Sequence, residues 1–529
     1  MKPLIIVFSL SSVPKSVVLV YQSFKFVLHY KIKFLFGINI LKLLLPIAIL
    51  LLPIAILLLP IAILLLPIAI LLLPIAILLL PIAILLLPIV LLYAYFNRKT
   101  SDWSLRLFEM TQRLIDKLLS IAPIKRQNTT EKALCIVRLD VVGDYILTRN
   151  FFAPFKEHYK DYKIVFIGNS IIKDLSVVAD SPYVDEFIFL DHSIWNQYNG
   201  YIHSRQHAFR FLRYLLKFFI KRYNELLMLK KTHYEIAINP ILPWGDILRD
   251  DIVMKHLDAS FKVSVRHEPF VDRGHHSVYV SDGKISHFYT HLFNIPKVIK
   301  FLFEFHQDLF SAFFKTFKGV DLAPVSFGME LPPSSILKES SQNLLNGLSS
   351  RYGVLNLGSS DFFRCYRYFN RIVRYLNEDI QLVICGTTPT EAKEAAKLVK
   401  AHKNAISLVG KTSLLEYAYI IKGAEFALGN ESSIAHFAAA LKVPYIFILS
   451  NGSSYATFHP YPRTLCATHH VIYPTEFANL RESKKIWEQR DVNTIKPSAV
   501  IASIKEHAPH LLKENTPDDI DKDYFIEEV

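Results

Sequence analysis

The sequence predicts an α/β protein of two domains, each built on a parallel β-sheet, behind an apolar N-terminal extension. Two long stretches repeat the same order of a short apolar run, a polar turn and a segment with helical spacing, which is typical of parallel sheets. A third stretch, between residues 43 and 92, is an apolar repeat that contains no charge. The length of 529 residues allows two or three domains.

Composition narrows the classes of partner. The chain carries a net charge of +13 and has a pI near 9.2, which suits nucleic acid, anionic lipid or phosphorylated small molecules. The sequence contains no basic helix with base-reading spacing and no zinc-finger pattern, so nucleic acid is not an expected partner. The four cysteines are scattered, which fits a reducing compartment, and Cys135 and Cys385 lie in apolar runs as expected of buried thiols.

The N-terminal extension, residues 1–109, is dominated by the repeat Leu-Leu-Leu-Pro-Ile-Ala-Ile. As a helix the repeat would be roughly 75 Å long, against about 30 Å for a bilayer core. Hydropathy therefore predicts a membrane segment, and the basic residues on both sides favour two crossings with both ends in the cytoplasm. The alternative is an expanded DNA repeat upstream of the working start, for which Met110 is a suitable position.

We expect the first α/β domain at residues 110–330. Its predicted strands are residues 133–139, 163–168, 186–191 and 234–239. Residues 204–231 form a basic amphipathic helix, which would lie either on an anionic membrane surface or, as is more usual, on the sheet. Asp250 and Asp251 are predicted to lie on an exposed helix face.

The first strand of this domain ends in a turn with a carboxylate. Gly143 and Asp144 fall where the carboxyl ends of parallel strands form ligand sites. Asp144 would be either a helix-capping residue or a general base that removes a proton from an acceptor hydroxyl.

Val137 to Asp144 resembles the opening motif of the lipopolysaccharide heptosyltransferases, glycosyltransferase family nine, and residues 180–186 resemble the family's segment entering the third strand. The resemblance runs from about residue 133 to residue 462. It implies the GT-B architecture, in which two Rossmann-like domains face each other. It also implies that Asp144 is the catalytic base and that Arg138 and Gly143 lie on the acceptor side.

A Pro- and Ser-rich linker at residues 331–345 is expected to join the second domain, residues 346–510, which is followed by an acidic tail at residues 511–529. The predicted strands of the second domain are residues 352–358, 381–385, 405–409, 425–428 and 443–449. The helices between them are expected near residues 366–377, 390–402 and 413–422.

The turn from Gly429 to His436 joins a strand to a short helix. Unpartnered N–H groups and the helix dipole make such a turn suitable for a diphosphate, although Ser432 and Ser433 would also suit a simple helix cap. The turn resembles the family's phosphate turn, commonly Gly-Asn-Asp-Ser-Gly-Pro-x-His. Glu431, Ser433 and Ile434 depart from that pattern, and the longer acid of Glu431 and the side chain of Ser433 narrow the space for a diphosphate.

Other positions follow from the same resemblance. Arg364 stands where the family carries a basic residue, and its charge would offset the diphosphate of the leaving nucleotide. Ser413 and Glu416 resemble the segment whose acid meets the ribose hydroxyls, and they also read as a capping box. The donor-binding residues implied are Gly358, Ser359, Arg364, Gly386, Ser413, Glu416, Asn430, Glu431, Ser432, Ser433 and His436.

These expectations describe an inverting glycosyltransferase without a cofactor or an obligatory metal, since no Asp-x-Asp-type site follows a strand. It would move a heptose or related sugar from a nucleotide-diphosphate sugar to a lipid-linked or lipopolysaccharide glycan, at the cytoplasmic face of the bacterial inner membrane. Three alternatives remain. They are an inactive relative that binds nucleotide or glycan or acts as a membrane scaffold, a sugar-nucleotide epimerase of the same architecture, and a membrane protein organised by the repeat.

Overall fold

The computed structural model describes only part of the chain, namely residues 102–123, 131–195, 208–241, 249–266, 287–295, 300–359, 362–477 and 491–517. The apolar repeat predicted to enter a membrane and most of the predicted acidic tail lie outside these residues. Among the helices in these ranges, none has the length and apolar character needed to cross a bilayer.

The first half of the structure is a six-stranded, fully parallel sheet in the order β3-β2-β1-β4-β5-β6. Its strands are β1 (Ala133–Arg138), β2 (Lys163–Asn169), β3 (Glu186–Leu190), β4 (His233–Ile238), β5 (Asp258–Val265) and β6 (His291–Phe293). Its helices are α1 (Asp102–Ile121), α2 (Val142–Thr148), α3 (Phe152–His158), α4 (Lys173–Asp180), α5 (His192–Trp195), α6 (Ala208–Leu229), α7 (Asp250–His256) and α8 (Leu302–Lys318).

The second half is another six-stranded parallel sheet, in the order β12-β11-β10-β7-β8-β9. Its strands are β7 (Tyr352–Asn356), β8 (Gln381–Cys385), β9 (Ala405–Ser407), β10 (Phe426–Asn430), β11 (Tyr445–Leu449) and β12 (His469–Ile472). Its helices are α9 (Glu339–Asn346), α10 (Phe369–Val373), α11 (Pro389–Ala401), α12 (Leu414–Lys422), α13 (Ser433–Ala440) and α14 (Pro497–His507).

The prediction of two α/β domains with parallel sheets is confirmed. Strands β1, β7, β8 and β10 are buried along their whole length, so they appear in the sequence as continuous apolar runs. Cys135 and Cys385 lie in two of these strands and are buried free thiols, as predicted.

One helix is shorter than predicted. The segment expected to be helical over residues 366–377 contains only α10, because both of its ends are held by other parts of the domain. The backbone N–H of Tyr366 donates to the side chain of Asn430, and the N–H of Asn377 donates to the carbonyl of Leu511. These contacts come from distant parts of the sequence, so local periodicity does not reveal them.

The two halves share one hydrophobic core, formed where α2 and α4 meet α12 and α13. The segment that joins the halves is bound to both of them. Arg149 of the first half donates to the carbonyl of Gly328 at 2.9 Å, and the next residue, Met329, donates its N–H to Ala440 at the end of α13 at 2.8 Å. Helices α2 and α13 also pack against each other directly.

Candidate active site

The first half of the site is a chain of ion pairs that ends on Asp144. This residue lies in the first turn of α2, and its Oδ1 accepts a hydrogen bond from Nη2 of Arg138 at 2.8 Å. The same nitrogen lies 2.9 Å from Oδ2 of Asp140, whose Oδ1 is 2.6 Å from Nη2 of Arg249. Arg138 is buried, with only 2% of its side chain exposed, whereas Asp144 keeps 13% exposed. Asp144 is therefore held in one orientation and remains accessible.

The environment of Asp144 sets its proton affinity. Burial raises the pKa of Asp144 to about 6, and the negative charge of Asp140 contributes in the same direction, while Arg138 opposes both. Burial also acts on Asp140, but the guanidinium groups of Arg138 and Arg249 outweigh it and lower the pKa of Asp140. Asp144 is thus mostly ionised near pH 7 and can accept a proton there.

The prediction that Asp250 and Asp251 lie on an exposed helix face is wrong. Asp250 is fully buried, and its Oδ1 accepts the N–H of Leu139 at 2.7 Å. Asp251 is also buried and accepts hydrogen bonds from Tyr289 and, at 3.2 Å, from Asn239. Helix α7 therefore presents its acidic first turn to the carboxyl ends of β1 and β4, and burial raises the pKa of Asp250 to about 7.

The second half of the site is the turn between β10 and α13. Ser432 is the N-cap of α13, but it makes no side-chain cap hydrogen bond. Its Oγ instead accepts a hydrogen bond from Nδ2 of Asn356 at 3.1 Å. A simple capping role for Ser432 is therefore not realised, and the positive end of the α13 dipole is not screened by that side chain.

Asn356, at the end of β7, links several of the predicted donor-binding residues. Besides Ser432, its Nδ2 donates to the carbonyl of Gly358 at 3.0 Å. Its Oδ1 accepts from the hydroxyl of Tyr417, the residue after Glu416, at 3.1 Å. Asn356 is not among the residues predicted from the sequence. Its position at the carboxyl end of a buried strand is the feature that could have indicated its role.

Asn430 is fully buried and connects the turn to the loop that carries Arg364. Its Nδ2 donates to the carbonyl of Leu357 at 2.7 Å, and its Oδ1 accepts the N–H of Tyr366 at 3.0 Å. Both ends of the amide are thus engaged within the protein, and Leu357 and Tyr366 are each hydrogen-bonded to the end of β10.

Arg364 lies beside the acid of the turn. Its Nη1 is 3.3 Å from Oε1 of Glu431, and Oε2 of Glu431 accepts a hydrogen bond from Ser450. Glu431 is 2% exposed and Arg364 is 25% exposed, so the arginine is the accessible member of the pair. Ser359 is drawn into the same group, since its hydroxyl donates to the carbonyl of Glu431 at 3.3 Å. The positive charge of Arg364, which would meet a diphosphate, is therefore partly offset by the negative charge of Glu431.

Ser413 and Glu416 form a complete capping box at the start of α12. Oε2 of Glu416 accepts the N–H of Ser413 at 2.7 Å, and Oε1 accepts the hydroxyl of Ser341, on α9, at 2.5 Å. Both carboxylate oxygens thus have partners inside the protein. These contacts lower the pKa of Glu416 in spite of the opposing effect of burial, so it is ionised at neutral pH.

Gly358 and Gly386 lie at the ends of neighbouring strands, and both approach the carboxylate of Glu391. A Cβ on Gly386 would lie 2.4 Å from Oε2 of Glu391, and one on Gly358 would lie 3.2 Å from Oε1. Glu391 itself closes a capping box with Thr388 at the start of α11. Glu391 is not among the residues predicted from the sequence. The Thr-x-x-Glu spacing, which is typical of a capping box, is the feature that could have indicated it.

The two halves of the site meet at Gly143 and His436. A Cβ on Gly143 would lie 2.5 Å from Cδ2 of His436, so the imidazole packs directly on the glycine that precedes Asp144. Nδ1 of His436 is 2.8 Å from the hydroxyl of Tyr461, and its ring stacks on that of His459 with 5.3 Å between centroids. Burial lowers the pKa of His436 to about 4, so the ring is neutral at pH 7.

The predicted residues thus form two groups. Arg138, Gly143 and Asp144 lie on the first half and meet His436, while Ser359, Arg364, Asn430, Glu431 and Ser432 are linked through hydrogen bonds and an ion pair on the second. Ser433 begins α13, directly after Ser432. Within the ranges the structure describes, no group of three or more His, Cys, Asp or Glu side chains is placed to hold a metal ion.

Comparison with known proteins finds one family model that matches part of the chain. The model for glycosyltransferase family 9 (heptosyltransferase) matches residues 288–469, from just before β6 to the start of β12. No curated protein matches the chain.

Several solved structures are similar to the chain at low identity. The Escherichia coli heptosyltransferase WaaC with ADP is 14% identical, with 72% of this chain and 99% of that chain covered and a TM-score of 0.48. The E. coli ADP-heptose lps heptosyltransferase II is also 14% identical, with 71% and 98% covered and a TM-score of 0.48. A glycosyl transferase family 9 structure from Veillonella parvula is 15% identical, with 72% and 98% covered and a TM-score of 0.47.

The matched segment, residues 288–469, contains Arg364, Glu416 and the turn from Gly429 to His436. The part of the chain from residue 288 to residue 469 is therefore similar to glycosyltransferase family 9, the heptosyltransferase family.

Proposed function

We propose that the protein is an inverting, metal-independent glycosyltransferase that moves a heptose or a related sugar from a nucleotide-diphosphate sugar to a lipid-linked or lipopolysaccharide glycan. The observation that carries the proposal is the contact between Gly143 and His436. It brings the carboxylate of Asp144, on the first half, next to the helix that follows the phosphate turn, on the second half. The two chemical requirements of the reaction, a base and an anion site, are thereby supplied from opposite sides of one interface.

In the proposed reaction, the oxygen of an acceptor hydroxyl attacks the anomeric carbon of the donor sugar. The bond from that carbon to the diphosphate oxygen breaks, and the nucleoside diphosphate leaves with the electron pair. The hydroxyl proton passes to Oδ1 or Oδ2 of Asp144, which is ionised at neutral pH and partly exposed. Displacement from the face opposite the leaving group inverts the anomeric configuration.

The leaving diphosphate carries the developing negative charge. Arg364 and the first-turn N–H groups of α13 would lie against it, because a guanidinium and a helix N-terminus are the groups that stabilise a phosphate. Glu431 holds Arg364 in place before the donor arrives. We propose that the diphosphate replaces Glu431 as the main partner of Arg364, while Glu431 keeps its hydrogen bond from Ser450.

Asp144→Asn is the direct test. The variant keeps the shape of the side chain and its contact with Arg138 but cannot accept the proton. We expect sugar transfer to fall by about 100-fold or more, as for loss of a general base, while donor affinity measured by calorimetry stays within a few-fold of the wild type. Asp174→Asn, at an exposed position in the first turn of α4, is the matched control and should leave transfer unchanged.

Two further measurements address the remaining parts of the proposal. Full activity in excess chelator supports metal independence, and activity restored only by a divalent cation contradicts it. The anomeric configuration of the product, read by NMR coupling constants, distinguishes inversion from retention.

The Arg364–Glu431 ion pair favours one alternative, a nucleotide-binding relative without transferase activity, because the pair competes with a diphosphate. In that case Asp144→Asn would be silent in every assay. Thermal shift of the full chain with nucleoside diphosphates of different bases would then show binding, while no acceptor would be glycosylated.

A further inference from the structure

From Arg213 to Leu229, helix α6 exposes one stripe of apolar and cationic side chains. Its exposed residues follow the spacing of one helical face and are Arg213, Leu216, Lys217, Ile220, Lys221, Asn224 and Met228. Leu216, Ile220 and Met228 are 52%, 43% and 46% exposed, although the helix also buries an apolar face on the sheet. A helix that only packs on a sheet needs a single apolar face, so the outer apolar residues require another explanation.

The charges of this stripe have one sign. Its three charged members are cations, and none of the seven residues is acidic. The acid of this part of α6, Glu225, turns inward and accepts a hydrogen bond from Nε1 of Trp195 at 2.6 Å. Lys221 pairs with Asp191 at the edge of the stripe, and Arg213 and Lys217 lie on its open part.

Helix α1 carries a similar stripe. Met110 and Ile121 are 56% and 73% exposed, and the exposed residues between them at helical spacing include Arg113 and Lys117. From Met110 to Ile121 the acid on this helix is Asp116, which is only 12% exposed and is held by Lys255 and His256 of α7. From Met110 to Ile121 the outer face of α1 is thus also apolar and basic.

The two helices lie side by side over the same face of the first sheet. The ring of Phe108 on α1 contacts those of Tyr214 and Phe218 on α6 at centroid distances of 5.9 and 5.1 Å. Nζ of Lys230, just after α6, donates to the carbonyl of Leu119 on α1 at 2.8 Å. Because both helices bury their inner faces in the same core, their outer stripes point away from the sheet on the same side.

A groove beside α1 adds further positive charge to this surface. The cations that line it are Arg113, Lys117, Lys230 and Lys255. The lining also contains the imidazole of His256 and one acid, Asp116. The lining is cationic overall, which suits an anionic headgroup.

We propose that the outer faces of α1 and α6 form a docking surface for an anionic lipid bilayer, in which Leu216, Ile220, Met228 and Met110 enter the headgroup region and the neighbouring cations contact lipid phosphates. Exposed aliphatic side chains enter the boundary between headgroups and acyl chains, and cations beside them are attracted to anionic lipid, so a surface that carries both suits an anionic bilayer. A soluble protein partner of acidic character would match the cations but would not require several exposed aliphatic side chains between them. In the sequence, α1 also follows the uncharged repeat of residues 43–92 after a short segment.

The test places an environment-sensitive fluorophore on the full chain. Ile220→Cys is labelled in a background in which the two half-buried cysteines, Cys365 and Cys466, are serine, since Cys135 and Cys385 are buried and unreactive. Lys403→Cys is the matched control, because Lys403 is 88% exposed and lies on the second half. Both proteins are mixed with vesicles of phosphatidylcholine, with or without phosphatidylglycerol.

We expect the label at residue 220 to shift to shorter wavelength with phosphatidylglycerol vesicles, to return toward its starting value in high salt, and to respond little to phosphatidylcholine alone. The label at residue 403 should not respond. An equal response of residue 220 to both lipids, or none, overturns the proposal. So does a label at residue 220 that is already shielded without vesicles, because another part of the chain would then cover this face.

A pair of charge reversals separates the stripe from the apolar repeat. Arg213→Glu with Lys217→Glu should abolish the response at residue 220, whereas Lys397→Glu with Lys403→Glu, at exposed positions of the second half, should retain it. Both double variants change exposed side chains, so their unfolding temperatures should match the wild type. If both respond like the wild type, the lipid contact does not use this surface and the proposal is wrong.

Discussion

The pH dependence of transfer tests the proposed role of Asp144 through its neighbour Asp140. With a pKa of about 6, Asp144 is ionised in roughly one molecule in ten at pH 5 and in nine of ten at pH 7. If the ionised carboxylate is the base, kcat/KM should rise about tenfold between these pH values.

Asp140→Asn perturbs this profile without touching the base. The negative charge of Asp140 raises the pKa of Asp144, so removing it stabilises the ionised carboxylate and lowers that pKa. Arg138 still donates to Asp144, which acts in the same direction. The acidic limb of the profile should therefore move to lower pH, and for an aspartate with the ordinary pKa of about 3.9 the rise between pH 5 and pH 7 would nearly vanish.

Other charged groups near this carboxylate stay in place in the variant. They are Arg138 on β1, Arg249 and Asp250 at the start of α7, His306 on α8, and His436 on α13. His306 and His436 are neutral through most of the range, since burial lowers their pKa values to about 3 and about 4. Their charge therefore changes little between pH 5 and pH 7. Asp250, whose pKa is raised to about 7, does titrate in this range, and Asp140 also raises its pKa, so the acidic limb is assigned to Asp144 only if Asp250→Asn keeps it.

The assay is the initial rate of nucleoside diphosphate release, with acceptor present, across this pH range. Asp174→Asn should keep the wild-type profile. The unfolding temperature at each pH shows that the variant is folded where its rate is measured. An acidic limb that stays in place or moves to higher pH in Asp140→Asn would refute the assignment of that limb to Asp144.

Three further predictions concern packing, charge and stability. Gly143→Ala places a Cβ 2.5 Å from His436, so the free energy of unfolding, measured by calorimetry, should fall by about 1–3 kcal/mol. Adding His436→Ala should restore part of that stability. Equal unfolding temperatures for Gly143→Ala and the wild type would contradict the packing. Arg364→Ala should weaken nucleoside diphosphate binding by roughly 10- to 100-fold in titration calorimetry. Glu431→Gln should not weaken this binding. Unchanged affinity in Arg364→Ala would exclude the arginine from the donor site. The pKa of Asp250 is raised to about 7 in the folded state, so its contribution to stability is present at low pH and is lost as the pH rises through 7. Between pH 5 and pH 8 the unfolding temperature of the wild type should therefore fall more than that of Asp250→Asn. Parallel curves of unfolding temperature against pH would refute this.

The sequence predicts the fold well because parallel strands are buried on both faces. Strand β8 begins and ends where its apolar run does, and β1, β3 and β4 differ from their predicted bounds by one residue at one or both ends. The positions of Asp144 and of the turn from Gly429 to His436 follow from the same pattern, since the polar turn after each strand falls at one edge of the sheet.

Contacts between distant segments are what the sequence does not reveal. Asp250 and Asp251 resemble the solvated start of a helix, yet the N–H of Leu139 and the hydroxyl of Tyr289 bring them inside. In the same way, the spacing of Arg364 and Glu431 gives no sign that they form an ion pair. Only the assembled sheet order places these side chains together.

Under the proposed function, the two asparagines at the ends of β7 and β10 have a consequence for how donor preference would evolve. Asn356 and Asn430 tie the loop of Arg364, the start of α13 and the helix of Glu416 into one rigid piece. A substitution in any one of these segments is felt in the others, so a lineage that shifts to another nucleotide must alter them together. Donor preference in such proteins would then evolve in concerted steps, and single exchanges at one loop would mostly yield poorer versions of the ancestral enzyme.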